Sequence, residues 1–186
     1  MSARRFILLA FSLLTGLTLQ AQSPALRYPD DFNLPSTEIP KGYGPLVINE
    51  EARQAGFTSN PGFVRKPEFI RDLYEGIDPN TIEKVFVGMY QPKGNKDFEM
   101  GYYVIAYRSV KDLQEEQPKI RKYPGARYFF KDRYLLQVWG DAGSFEDAVT
   151  HISEYFKNKL GLTEFTPPER DNSDITTDVA APASTE

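Results

Sequence analysis

The chain has 186 residues and no cysteine, with 22 Lys and Arg against 26 Asp and Glu, and 40% apolar and 13% aromatic residues. Lack of cysteine excludes a disulfide framework, a zinc–thiolate centre and a thiol nucleophile, and a single histidine leaves a His-based dyad or transition-metal site without parts. What remains is a composition suited to one globular domain held by apolar burial.

Arg4 and Arg5 precede the apolar run 6–14, and small or polar residues lead on to Ala21. This is the pattern of a secretory signal peptide over residues 1–21; the run is shorter than the roughly 20 apolar residues a membrane-spanning helix needs. No cysteine lies near the expected cleavage point, so the usual bacterial lipid attachment has no site. The mature chain is expected to be exported, periplasmic or extracellular, with no stable membrane span. Nucleic acid is a poor partner for such a chain.

Residues 22–60, as in RYPDDFNLPSTEIPKGYGP, carry no sustained period and read as a proline-rich arm or linker. Its Tyr28, Phe32, Leu34 and Ile39 are large enough to dock on a domain. A single α+β domain is expected over 61–165. Pro67 at a first helical position, an apolar stripe of Phe69, Ile70, Leu73 and Tyr74, and Gly76 past its end predict a short helix. KVFVGMYQ (84–91) and GYYVIAYRS (101–109) predict a hairpin with a polar tip around 93–97. Ser109 with Asp112 resembles a capping box and starts a helix, which Pro118 either breaks near Gln117 or restarts from its first turn.

YFFKDRYLLQVWGD (128–141) predicts a second hairpin, with Lys131 and Asp132 as its tip. Ser144 is placed to cap a helix whose Phe145, Ala148, Val149, Ile152, Phe156 and Leu160 recur at helical spacing, with Gly161 as its stop. Residues 166–186 are acidic, carry prolines and lack aromatics, so they read as a disordered tail. The order helix, then hairpin–helix twice, predicts an α+β fold: an antiparallel sheet of about four strands built from two hairpin–helix units, with helices on one face. The other face is then solvated, covered by the arm, or used for binding.

Charge is unevenly placed. Beyond Leu162 the acidic residues Glu164, Glu169, Asp171, Asp174, Asp178 and Glu186 face only Arg170. Between 108 and 133, Arg108, Lys111, Lys119, Arg121, Lys122, Arg127, Lys131 and Arg133 outnumber Asp112, Glu115, Glu116 and Asp132. A basic stretch of this kind is either a solvated surface or a contact for an anionic polymer. His151 lies on the flank of the last predicted helix, as an ordinary surface residue would. Asp141, Glu146 and Asp147 could mimic a carboxylate pair for glycosidic chemistry, yet Glu146 and Asp147 open a helix, where negative charge is favoured for structural reasons. Gly140, Gly143 and Gly161 lack the spacing of a phosphate-binding loop. No metal or cofactor site emerges, so binding is favoured over catalysis.

From Gly101 to Leu162, GYYVIAYRSVKDLQ, then YPGARYFFKDRYLLQVWG, then SFEDAVTHISEYFKNKLGL resembles the strand–helix–strand–strand–helix order of SPOR domains, which bind peptidoglycan. Ile105 and Tyr107 stand where that family usually has Gln and Gly in its first strand, Pro118 interrupts the first helix, and strand 84–91 has no counterpart in the minimal domain. The resemblance implies a peptidoglycan ligand without assigning a binding residue.

Strand alternation around the predicted tip puts Arg127, Phe129, Tyr134, Leu136 and Val138 on one face, and Tyr128, Phe130, Arg133, Leu135, Gln137 and Trp139 on the other. The second set mixes rings with hydrogen-bonding groups, the combination that can stack on a sugar. Tyr128, Arg133, Gln137 and Trp139 are therefore the expected ligand-binding residues of a non-enzymatic envelope module, with peptidoglycan glycan or another envelope component as ligand. The alternative is an interaction subunit that docks an envelope protein through a free sheet face or the arm; a small hydrolase is third.

Overall fold

Two long runs of aromatic and β-branched residues set the architecture. The structure, a computed structural model, describes residues 25–54, 56–64, 77–94, 99–141 and 145–169. In chain order the described elements are β1 (Tyr43–Pro45), α1 (Glu50–Gln54), β2 (Gly62–Val64), β3 (Ile82–Pro92), β4 (Met100–Tyr107), α2 (Val110–Glu116), β5 (Arg127–Lys131), β6 (Tyr134–Gly140), α3 (Glu146–Leu160) and β7 (Thr163–Phe165). The expected signal peptide, the helix expected after Pro67, residues 95–97 of the hairpin tip expected at 93–97, Ser144 and the tail beyond Glu169 lie outside the described residues.

The strands form one seven-stranded sheet in the order β1-β3-β4-β6-β5-β7, and β2 also pairs with β3. Every pairing is antiparallel. This corrects the expected sheet of about four strands with helices on one face. β1, β2 and β7 are three residues long, too short to display the alternation by which a strand is recognised. β1 comes from the arm, and β2 follows directly after it. The helices divide between the faces: α3 packs with Phe86, Tyr102, Val104, Phe129, Leu136 and Val138, whereas Leu113 of α2 joins Val85, Ile105, Tyr107 and Leu135 on the opposite side.

The arm is part of the core. Phe32 is fully buried and Leu34 nearly so, and both belong to the α3-side cluster together with Tyr28 and Ile39 at its margin. Tyr28 stacks on Tyr134 at 5.3 Å and donates from its hydroxyl to the Val104 carbonyl oxygen at 3.2 Å. Burying one such side chain contributes roughly 1.5–3 kcal/mol. Asn60 fills the gap between β1 and β2. Its amide donates to the carbonyl oxygens of Leu46 and Met89 at 2.8 and 2.7 Å and accepts from the Met89 N–H at 2.8 Å, so the exposed flank of β3 keeps its backbone groups paired.

Ser109 caps α2 by accepting from the Asp112 N–H at 3.1 Å. The helix stops at Glu116, and Pro118 sits in a short 3-10 turn, Gln117–Lys119. In the second hairpin Lys131 pairs with Tyr134, so the tip is Asp132–Arg133, one residue later than expected, with Asp132 at φ 52°. Phe129 faces Leu136 as a result. Both pairings join odd to even positions, so the two faces of the hairpin keep their membership.

Candidate functional site

On the α2 side of the sheet, one end gathers rings and carboxylates. Tyr128, Gln137 and Tyr103 lie abreast on β5, β6 and β4, and Trp139 pairs with Gly101 one step further along. Gly101 has no side chain, and the Trp139 indole stacks on Tyr103 with ring centroids 5.5 Å apart and an interplanar angle of 11°. Such pairs contribute about 0.5–1.5 kcal/mol beyond their burial.

Glu99 and Asp141 close this end of the β4–β6 ladder reciprocally. The Glu99 N–H donates to Asp141 Oδ2 at 2.8 Å, and the Asp141 N–H to the Glu99 carbonyl oxygen at 3.0 Å. Burial, and then the Asp141 charge, raise the Glu99 carboxyl above the usual range. The Tyr103 phenol is pushed up by burial first, then by Glu99, Asp141 and Tyr123.

Residues 121–126, RKYPGA, form a loop held on this end. Pro124 and Gly125 occupy the central positions of a four-residue turn closed by the Ala126 N–H donating to the Tyr123 carbonyl oxygen at 3.1 Å, with Gly125 at φ 73°. Proline followed by a positive-φ glycine is the signature of a type II turn. Beneath it, the Tyr128 hydroxyl accepts from the Tyr123 N–H at 2.8 Å and donates to the Arg121 carbonyl oxygen at 3.3 Å. Beside it, the Lys122 N–H donates to the Pro168 carbonyl oxygen at 3.0 Å, and Lys122 Nζ meets Glu169 at 2.6 Å. The result is a fixed turn that carries Tyr123 with 47% of its surface exposed, whereas Tyr128 is 2% exposed. Arg121 is exposed next to it, its guanidinium donating to the Pro118 carbonyl oxygen.

Of the residues expected to bind ligand, Tyr128, Gln137 and Trp139 are brought together here, all buried. Trp139 Nε1 finds no partner among the described residues. Arg133 is elsewhere: at the opposite end of β6 it pairs with Glu83 and donates to the Tyr107 carbonyl oxygen. The expected face is therefore not an open platform, and its accessible ring is Tyr123. Sequence reasoning missed Tyr123 because it lies outside both strands. The proline–glycine pair that follows it was the available signal. Glu99 was missed because only strand pairing brings it beside Asp141.

Three of the eight cations in the basic stretch 108–133 meet carboxylates remote in sequence. Arg127 meets Glu154 and Glu164, Arg133 meets Glu83, and Lys122 meets Glu169. Lys111 and Lys119 pair locally with Glu115 and Glu116, and Lys131 Nζ reaches the Leu160 carbonyl oxygen at the C-terminus of α3. Among the described residues, no helix is long and apolar enough to cross a membrane, and no group of three or more metal-binding side chains occurs. Comparison of the chain with protein-family models, with curated proteins and with solved structures returns no match.

Proposed function

We propose that the protein is an exported, non-enzymatic binding module acting at the cell envelope, and that it holds peptidoglycan glycan, or another envelope component, on the 121–126 loop. The single observation that carries this reading is Tyr123: a large ring left half-exposed on a turn that is hydrogen-bonded from below and from the side. A rigid aromatic anchor loses little conformational entropy on binding, and aromatic and Arg side chains dominate recognition surfaces. The Tyr123 ring can stack on the apolar face of a sugar while Arg121 offers donors to its oxygens. Glu99 and Asp141 add acceptors at the far rim.

Within this reading Tyr128, Gln137 and Trp139 support the loop and the sheet end, while Arg133 takes no part in the site. The resemblance of residues 101–162 to SPOR domains supports the choice of peptidoglycan over other envelope polymers. The alternative, a partner protein docked on a free sheet face or on the arm, is less well supported, because buried clusters occupy both faces and the arm contributes residues to each of them. The test is retention of the mature protein on purified peptidoglycan. Tyr123→Ala should abolish most of the retention with an unchanged circular dichroism spectrum, and Arg133→Ala should leave retention intact. Equal retention of Tyr123→Ala and the unmodified protein, or none by the unmodified protein, rules the reading out.

A further inference from the structure

We infer that the 121–126 loop selects glycan bearing an anionic group, a carboxylate or a phosphate, and that Arg121 is the residue that reads it; the inference rests on the reading of this loop as the binding surface. Three cations precede or flank the Tyr123 ring. Lys119 Nζ is spent on the buried Glu116 at 2.8 Å, and Lys122 Nζ on Glu169 at 2.6 Å. Arg121 is exposed and has no carboxylate partner among the described residues.

Its guanidinium is nevertheless held in place. Nη1 donates to the carbonyl oxygen of Pro118 at 2.9 Å, a residue of the short 3-10 turn Gln117–Lys119 whose φ the proline ring fixes. The Nε–Nη2 edge is left for ligand, and that fork takes a carboxylate or a phosphate through two parallel hydrogen bonds. Cation and ring are also fixed to each other. The buried Tyr128 hydroxyl donates to the Arg121 carbonyl oxygen at 3.3 Å and accepts from the Tyr123 N–H at 2.8 Å. One phenol thus sets the spacing between the ring that stacks on a sugar and the guanidinium that meets the sugar's substituent. Beyond the loop the sheet end is acidic, with Glu99 and Asp141 acting on the same Tyr103 phenol as Tyr123 does. An anionic group is repelled from that rim and drawn to Arg121, so the ligand lies in one orientation.

The probes share one backbone: neutral glycol chitin, carboxymethyl chitin and phosphorylated chitin, each titrated into the mature protein by calorimetry at low ionic strength. The anionic polymers should bind at least about tenfold more tightly than glycol chitin, because charge-assisted hydrogen bonds replace neutral ones, and the gap should narrow at about 0.5 M salt. Arg121→Gln should close the gap, and Arg121→Lys should restore only part of it, since an ammonium has no planar fork. Arg133→Ala removes a charge at the other end of the hairpin and should keep the gap, whereas Tyr123→Ala should weaken all three polymers. A gap for one anion alone supports the inference and identifies that anion. Equal affinity for the three polymers overturns the inference and leaves the glycan reading standing, and a gap reduced equally by Arg121→Gln and Arg133→Ala overturns it as well. Binding to none of the polymers removes both.

Discussion

At Tyr128 a hydroxyl in the core governs a loop on the surface. Tyr128→Phe keeps the ring in its place but removes the acceptor of the Tyr123 N–H and the donor to Arg121. A buried hydrogen bond of this kind contributes about 0.5–1.5 kcal/mol, so the melting temperature should fall modestly. Amide exchange of residues 121–126 should rise more than exchange of β6; equal acceleration in both would mean that the hydroxyl does not hold the loop. Glu83 gives a pH signature. Its hydrogen bond to Arg133, and then the guanidinium charge, keep its carboxyl below the usual carboxylate range. The resulting stability is present above the ordinary Glu value and is lost as pH falls through the lowered one. Arg133→Met should therefore lower stability near neutrality while flattening the acid limb of the pH–stability curve. Glu99 has the opposite sign, because a raised carboxyl costs stability as pH rises past its ordinary value. Glu99→Gln should remove that cost in urea melts followed across the acid range.

Among the elements, α3 is the one whose apolar side is complete: Ala148, Val149, Ile152, Phe156 and Leu160 are all buried against the sheet. Ile152→Asp places a carboxylate at a position with no exposure and should unfold the domain or nearly so. Loss of residues 170–186 should leave the thermal midpoint almost unchanged, and the opposite order in paired melts would overturn the core assignment. Helical spacing made α3 readable from the sequence, and Gly161 marked its end. The Ser109 cap and Pro118 likewise marked α2 and its interruption. β3 and β4 were readable as strands, but their central residues are buried on both faces. Near-continuous apolar runs such as YYVIAY indicate a sheet covered on both sides, and that signal points to the two-sided architecture that alternation alone does not reveal. β1, β2 and β7 left no such trace. Their existence depends on β3 and β5 offering an edge to pair with, and Asn60 completes one of those edges through three hydrogen bonds. Asn60→Ala would strand the Met89 N–H, while the Met89 carbonyl oxygen keeps the Leu46 N–H at 2.9 Å, and should cost about 1–3 kcal/mol, read as a lower urea midpoint.

For the molecule as a whole, the sheet is a two-sided core, and the proposed binding surface lies at one of its ends. α3 and the first part of the arm occupy one face, α2 with Phe57 and its neighbours the other, so the rings that made the second hairpin look like a sugar platform are spent on packing. What reaches solvent is a turn seated on those rings, with Tyr123 exposed and Arg121 beside it. The three-dimensional placement of Glu83, Glu154, Glu164 and Glu169, which pair with Lys122, Arg127 and Arg133, was not legible from local charge. The most direct measurement is a titration of the isotopically labelled mature protein with soluble peptidoglycan fragments, followed through backbone amide shifts. The account predicts saturable shifts confined to residues 121–126 and the adjoining sheet end at Glu99, Tyr103 and Asp141, with none at Asp132 and Arg133. Shifts centred on the Arg133 end of the hairpin, or no shifts at millimolar fragment, would contradict it.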